Sequence, residues 1–394
     1  MSTIKFPSDE VVRAKVQEAI DQINKYHKVP LNNSRGRVMF ICNYYAGVWL
    51  EHAFDGVAWA RIFPEDAEIA KNQVCLFLDN QHDDGQLPFN VTADSIGYTH
   101  IQECVSFGKI CMEAAELNND DELIAYAYEK LCKWDEWQVK NRIHNDYGLI
   151  EMYCGYDTGH DNSGRLDGMK YPEFGPDNGE RPTDCDVLPV IAPDMNAVFY
   201  GDRMALAAMA EKLGKTDEAA EWRKKAEQTR QAIMDVCYDP EDMFFYDVDK
   251  NGKQRKIKSI QITNVLCEDV CDYDLANKIF EKHFLNQDEF GTPFPYPSVA
   301  ANDPVFRQTQ PANTWGYFCQ GLTMLRSTRW MERYGRGKEM EENMRKWLAC
   351  WCRSTTTQMG QELDPFTGEP APTVDYYSST MIFLITAAKH LGII

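Results

Sequence analysis

Twelve consecutive residues, Tyr156-Asp-Thr-Gly-His-Asp161-Asn-Ser-Gly-Arg165-Leu-Asp167, hold three carboxylates, one arginine and several small residues. Carboxyl groups placed unequally around a guanidinium can hold different pKa values, the requirement for acid–base work near neutral pH. Small residues let a backbone approach a ligand closely. A solvated polar loop has the same composition, so the segment needs a partner before it implies chemistry. A second acidic loop, Gly360-Gln-Glu362-Leu-Asp364-Pro-Phe-Thr-Gly368-Glu-Pro, precedes the last predicted helix. Hydrolysis of a glycosidic bond needs two carboxyl groups, one protonated and one ionised. Trp49, Phe54, Trp59, Phe89, Trp315, Tyr317 and Tyr376 lie near these loops and could stack on sugar faces, with core filling as the alternative for each.

Other tempting motifs fail on spacing. Gly214-Lys215-Thr216 lacks the leading glycine of a phosphate loop, because position 209 is Met209. Asp247-x-Asp249-x-Asn251-Gly252 begins like a calcium loop, but Lys258 stands where a bidentate Glu is required. A hairpin turning at Asn251-Gly252 fits those residues better. Cys267 and Cys271 have no second pair to complete a zinc site. No metal and no cofactor are therefore expected.

The elements that must position the two loops are helices. Ser8 caps a stripe of Val12, Val16, Ile20 and Ile23, and Asn43 to Ile62 is apolar nearly all round. Pro64 opens the next helix. Further helical patterns cover 95–117, 120–142, 194–213, 216–237, 259–268, 273–285, 314–334, 337–353 and 375–391. That makes twelve. Gly-containing turns at Gly85, Gly148, Gly291 and Gly368 recur loosely between them, as in stacked helix pairs, and six pairs close into a ring. Residues 1–394 are therefore expected to form one domain, interrupted by a long aperiodic loop at about 143–193.

Composition bounds the partners. With 41 basic against 61 acidic residues the net charge is −20, so nucleic acid and anionic membrane are poor partners. No stretch approaches the apolar length of a membrane span, and MSTIKFPSDE does not read as a signal peptide. A cytoplasmic location with reduced thiols at the 13 cysteines is expected.

Six segments carry a family resemblance. Asp161-Asn-Ser-Gly-Arg165 resembles the S/T-G-x-D-N-S-P-R element of the trehalase and processing α-glucosidase clan of glycoside hydrolases, with Gly164 in place of the Pro and His160 directly before the acid. Pro193-Asp194-Met-Asn196-Ala197 is similar to P-V-D-L-N-A, and Gln310-Pro-Ala-Asn313-Thr-Trp315 to P-N-x-W. Glu362-x-Asp364-Pro-x-Thr367-Gly368 resembles E-x-Y-D-P-x-T-G. His52-Ala-Phe54-Asp55-Gly and Gln81-His-Asp-Asp-Gly85-Gln-Leu-Pro88 match the clan's early elements more loosely. Mannosylglycerate and glucosylglycerate hydrolases of family 63 share the short length.

The resemblance implies an all-α (α/α)6 barrel of the six-hairpin glycosidase type with short β-hairpins in its loops. It implies an inverting, exo-acting hydrolase of a small α-linked glucoside or mannoside, a disaccharide or hexosyl-glycerate. Asp161 aligns with the general acid and Glu362 with the general base. Phe54, Asp55, Gln81, Asp157, His160, Arg165, Gln310, Asn313, Trp315 and Tyr376 are the expected substrate-binding residues. A sugar 2-epimerase, an unsaturated glucuronyl hydrolase and a non-catalytic sugar-binding barrel remain alternatives on the same architecture. The partner is a small carbohydrate, and self-association is compatible with the sequence.

Overall fold

In the computed structural model the described residues are 5–43, 45–99, 101–102, 104–166, 181–182, 185, 187–308, 311, 313–354, 358–372 and 375–394. Among them are twelve α-helices: α1 (Asp9–Gln22), α2 (Ala53–Ile62), α3 (Ala67–Asp79), α4 (Phe107–Asn118), α5 (Asp121–Arg142), α6 (Pro193–Lys212), α7 (Thr216–Val236), α8 (Ile262–Cys267), α9 (Tyr273–Ile279), α10 (Gly321–Ser327), α11 (Gly337–Arg353) and α12 (Ser378–His390).

Hydrophobic patterning divides them into two rings. Every residue of α8 and α10 is buried, as are most of α2, α6 and α12. A helix apolar all round must be covered on every side. By contrast α1 buries only Val12, Val16 and Ala19, and α7 buries one narrow stripe. The even-numbered helices pack in a closed inner circuit: α2 on α4, α4 on α6, α6 on α8, α8 on α10, α10 on α12, and α12 back on α2. Outer helices α3, α5, α7 and α11 pack against inner neighbours, and α1 closes the ring against α12 and α11. This is the (α/α)6 barrel that the helix count implied.

Element boundaries differ from the sequence periodicity where the chain enters the inner ring. Residues 47–49, expected as helix, form a strand paired with 90–92, and α2 begins only at Ala53. The predicted helix over 95–117 begins at Phe107, and that over 314–334 contracts to α10. Helix 273–285 ends at Ile279 and continues as a π-turn to Phe284. The hairpin at Asn251-Gly252 forms, pairing 247–248 with 254–255, and Gly252 has a φ of 76° that suits its turn.

Short strands crown the N-terminal ends of inner helices. Val190–Ile191 leads into α6, pairing on one side with Glu151–Met152 and on the other through Val248. Hence the segment 143–193, expected to be aperiodic, contributes two strands that pair with each other. Cys319–Gln320 leads into α10 and pairs antiparallel with Glu362–Leu363, placing Gln320 opposite Glu362. The two acidic loops thus meet the barrel at the same end. All 13 cysteines are free thiols, eleven of them buried. No helix among the described residues is long and apolar enough to cross a membrane.

Candidate active site

Glu362 sits on the short strand between α11 and α12 and is fully buried. Its carboxylate is met by donors from the facing loop. Oε1 accepts from the Thr314 backbone N–H at 2.7 Å and from Gln320 Nε2 at 2.8 Å, while Oε2 accepts from the Asn313 N–H at 2.9 Å. Burial raises the pKa, and these three donors oppose the rise. Oε1 is spent on two donors, so Oε2 keeps the lone pair available for a proton.

Asp161 lies at the turn after Gly159. Its backbone carbonyl accepts from the Trp315 N–H at 3.0 Å, and its Oδ2 from Asn313 Nδ2 at 2.9 Å. Burial pushes this carboxyl up to about 6, opposed only by the Asn313 amide. With one side-chain donor against three at Glu362, Asp161 is the group better suited to hold a proton. Asn313 touches both carboxyls and adopts a left-handed φ of 53°, a conformation that asparagine tolerates. Asn162, also left-handed, donates to the Asn313 carbonyl at 2.8 Å, so the acid loop and the 313–315 loop clasp each other.

His160 stacks on Trp315 with ring centroids 4.4 Å apart and planes 20° from parallel. Burial lowers its pKa to about 3, so the imidazole is neutral. Arg165 donates to its Nδ1 at 3.3 Å. An arginine cannot accept, so the ring's proton sits on Nε2.

Arg165 itself is not a free sugar ligand. Its Nε and Nη2 donate to Asp247 at 2.7 and 2.8 Å, and Nη1 and Nη2 to Asp194 at 2.8 and 2.9 Å. With His160 this uses all five N–H groups of the guanidinium. Arg165 therefore fixes the acid loop to the first turn of α6 and to the 247–248 strand. Asp194 also accepts from the Met195 N–H at 3.0 Å within that turn. Gly164, where the clan has Pro, presses against Val305: a Cβ there would stand 2.6 Å from the Val305 carbonyl oxygen. The small residue serves loop packing rather than approach to a ligand.

Several other expected ligands are occupied elsewhere. Asp55 is fully buried in the first turn of α2 and accepts from Ser378 Oγ at 2.5 Å and Ser379 Oγ at 2.9 Å. Phe54 is buried under Arg329, whose guanidinium stands 4.8 Å from the ring, so it offers no open face for a sugar. Gln81 donates to the Gly85 and Lys130 carbonyls, both at 2.8 Å, and braces a turn against α5. Asp157 pairs with Arg142 and accepts from the Tyr153 and Gln102 N–H groups at 2.8 and 3.0 Å. Tyr376 donates to Glu18 of α1 at 3.4 Å. Gln310 lies outside the described residues. The site the structure assembles from the sequence expectations is Asp161, Glu362, His160, Asn313 and Trp315, with Arg165 behind them.

Sequence reasoning missed Asp247, Gln320 and the buried Arg326. Asp247 carried a signal, since a carboxylate inside the run Phe244-Phe-Tyr-Asp-Val needs a cation. Gln320 carried none until the strand pairing was known. Arg326 donates to the Glu51 carbonyl at 2.8 Å near the start of α2, and its Nε has no hydrogen-bond partner among the described residues. Nothing in its spacing announced that position.

Comparison with known proteins agrees with this fold. The barrel superposes on a family 63 mannosylglycerate hydrolase from Thermus thermophilus, in complex with glucose, with a TM-score of 0.74 at 16 % identity over 94 % of this chain and 99 % of that one. The neutral trehalase of Saccharomyces cerevisiae gives 0.69 at 12 % identity, over 90 % of this chain and 73 % of the other. A rhamnosidase from Klebsiella oxytoca gives 0.61 at 12 % identity, over 99 % and 66 %. At such identities the likeness concerns the fold. The model of the mannosylglycerate hydrolase MGH1-like glycoside hydrolase domain matches residues 45–379, a span that contains both carboxyl loops and every inner helix up to the first residues of α12. The chain is a glycoside hydrolase and belongs to the mannosylglycerate hydrolase-like family.

Proposed function

We propose that the protein hydrolyses a small α-linked hexoside with inversion, Asp161 acting as general acid and Glu362 as general base. The observation that carries this reading is the asymmetric pair of carboxyls held on either side of Asn313. Two hydrogen bonds and the span of one asparagine keep them within about 11 Å of each other. That bound admits the roughly 6.5–9.5 Å an inverting pair needs for its water. In the proposed step Asp161 gives its proton to the glycosidic oxygen as the C–O bond breaks. Glu362 Oε2 takes a proton from a water attacking the opposite face. The product pair is a free hexose of inverted anomeric configuration and a free alcohol.

A hexosyl-glycerate is the foremost substrate class. The matching family is described as mannosylglycerate hydrolase-like, and one similar structure from Thermus thermophilus is in complex with Tris and D-glycerate. Burial lowers the pKa of both His160 and His52, so neither supplies the imidazolium that histidine acid–base chemistry of the epimerase kind needs. We also take residues 1–394 to act as one catalytic unit, because a single apolar cluster runs from Val12 to Ile393.

The test is a panel of α-disaccharides, α-mannosyl-glycerate and α-glucosyl-glycerate, followed by proton NMR during turnover. The β-anomer appears first if the mechanism inverts. Asp161→Asn and Glu362→Gln each lower kcat by at least about 100-fold with the fold intact. An initial α-anomer, or near-normal turnover in either variant, overturns the assignment.

A further inference from the structure

Asn313 was expected to hold sugar, yet its polar atoms are turned toward the protein. Its backbone N–H meets Glu362 Oε2 at 2.9 Å, its Nδ2 meets Asp161 Oδ2 at 2.9 Å, and its carbonyl accepts from Asn162 at 2.8 Å. Gln361, the residue before Glu362, donates to its Oδ1 at 3.3 Å. The Gln361 contact fixes which end of the amide faces Asp161: Oδ1 is the accepting end, so the NH2 end points at the carboxyl.

We propose that Asn313 is a positioning residue that couples the two carboxyls, fixing their separation and choosing the oxygen of Asp161 that delivers the proton. The inference rests on the acid and base assignments above and deepens them. Because Oδ2 accepts an N–H, a protonated Asp161 carries its proton on Oδ1. That oxygen has no hydrogen-bond partner among the described residues. One asparagine therefore holds the acid in one orientation and shares the base oxygen on the other side. The left-handed backbone is part of the device, since it lets the same residue aim its main-chain N–H and its side chain at groups on two different loops.

The side chain and the main chain act on different carboxyls, and this separates the proposal from a sugar-contact role. Titratable groups around Asp161 are Cys154, Tyr156 and His160 on its own segment and Glu362 beyond Asn313, with Arg165 held by Asp194 and Asp247. Among the described residues, Asn313 is the hydrogen-bond donor that opposes the upward push of burial on Asp161. Removing its amide destabilises the carboxylate relative to the acid, so Asp161 stays protonated to higher pH. The N–H to Glu362 belongs to the backbone and survives side-chain removal.

The experiment uses the full-length enzyme with α-mannosyl-glycerate, or the panel hexoside it turns over. N313G keeps the left-handed backbone without strain and N313D keeps the side-chain shape while removing the donor. Both are checked by circular dichroism and thermal melting. The expected result is a kcat loss of about 10- to 100-fold with KM within about threefold. The basic limb of the pH profile moves up by about half to one unit in N313G, and the acid limb stays in place. In N313D the like charge beside Asp161 moves the basic limb up further. A raised KM with unchanged kcat and an unmoved basic limb in both variants overturns the proposal and makes Asn313 a sugar ligand. Asp161→Asn and Glu362→Gln run alongside: if either remains active, the acid–base assignment fails independently of Asn313.

Discussion

At the scale of single residues, two amide- or guanidinium-bearing side chains of the site direct their hydrogen bonds to carboxylates. Asn313 joins the proposed acid and base, and Arg165 anchors the acid loop. The triad of Arg165 with Asp194 and Asp247 is buried, all three side chains being at most 4 % exposed. Ion pairs of this kind contribute little net stability when intact. Removing one member strands charge in a medium that cannot solvate it. Arg165→Met is therefore expected to lower stability by about 3–5 kcal/mol in urea denaturation, because two carboxylates would face each other without a cation. A sugar-contacting arginine would lose activity with its unfolding midpoint unchanged, so the same measurement separates the two roles. Asp161, Glu362, His160, Asn313 and Trp315 were legible in the sequence because they sit in dense local motifs. Their partners were not. Asp247 is 82 residues from Arg165, and Gln320 meets Glu362 through a strand register that no local pattern encodes.

At the scale of elements, the inner helices carry polar ties that the helix pattern alone would not suggest. Asp55 on α2 accepts from Ser378 and Ser379 at the start of α12, where the inner circuit closes. Burial pushes Asp55 up to about 6, and the two hydroxyls oppose that rise. The sign of the pH effect follows. Asp55 has a folded pKa above its unfolded value, so its ionisation costs stability as pH rises through about 6. Replacing both serines by alanine raises the folded pKa further. The double variant S378A/S379A is thus expected to lose about 1–2 kcal/mol near pH 5 and clearly more near pH 8, as read by urea midpoints at the two values. A loss that shrinks with rising pH would contradict the tie. Element boundaries were least legible at the segments that enter the inner ring. Residues 314–320 are aromatic and apolar enough to continue the periodicity of α10, but Cys319–Gln320 is drawn into a strand by Glu362–Leu363. Likewise 47–49 is claimed by pairing with 90–92. Tertiary hydrogen bonding overrides a helical pattern there.

At the scale of the whole molecule, closure makes the first and last helices neighbours. Outer helix α1 packs on α12, Arg13 Nε donates to the Ile393 carbonyl at 2.8 Å, and Tyr376 reaches Glu18. Each inner helix packs on two inner neighbours, and α2, α4, α6 and α12 each pack on an outer helix as well. An open array of helix pairs would unfold from its ends; a closed ring loses neighbours on both sides wherever it is breached. Calorimetry is therefore expected to give one heat-absorption peak with calorimetric and van't Hoff enthalpies near equal. Val16, 1 % exposed on α1, provides the sharper test. Val16→Ala leaves a cavity at the seam and costs about 2 kcal/mol. If the ring unfolds as one unit, the whole peak moves down by a few degrees, and activity and near-ultraviolet dichroism are lost at the same temperature. If α1 and α12 belonged to a unit separate from the acid loop, an early peak would split off and the remainder would melt at the original temperature. Because Asp161 is fixed through α6 and Glu362 through α10, whereas α1 touches neither, loss of activity along with a seam in α1 would trace the coupling to ring closure itself.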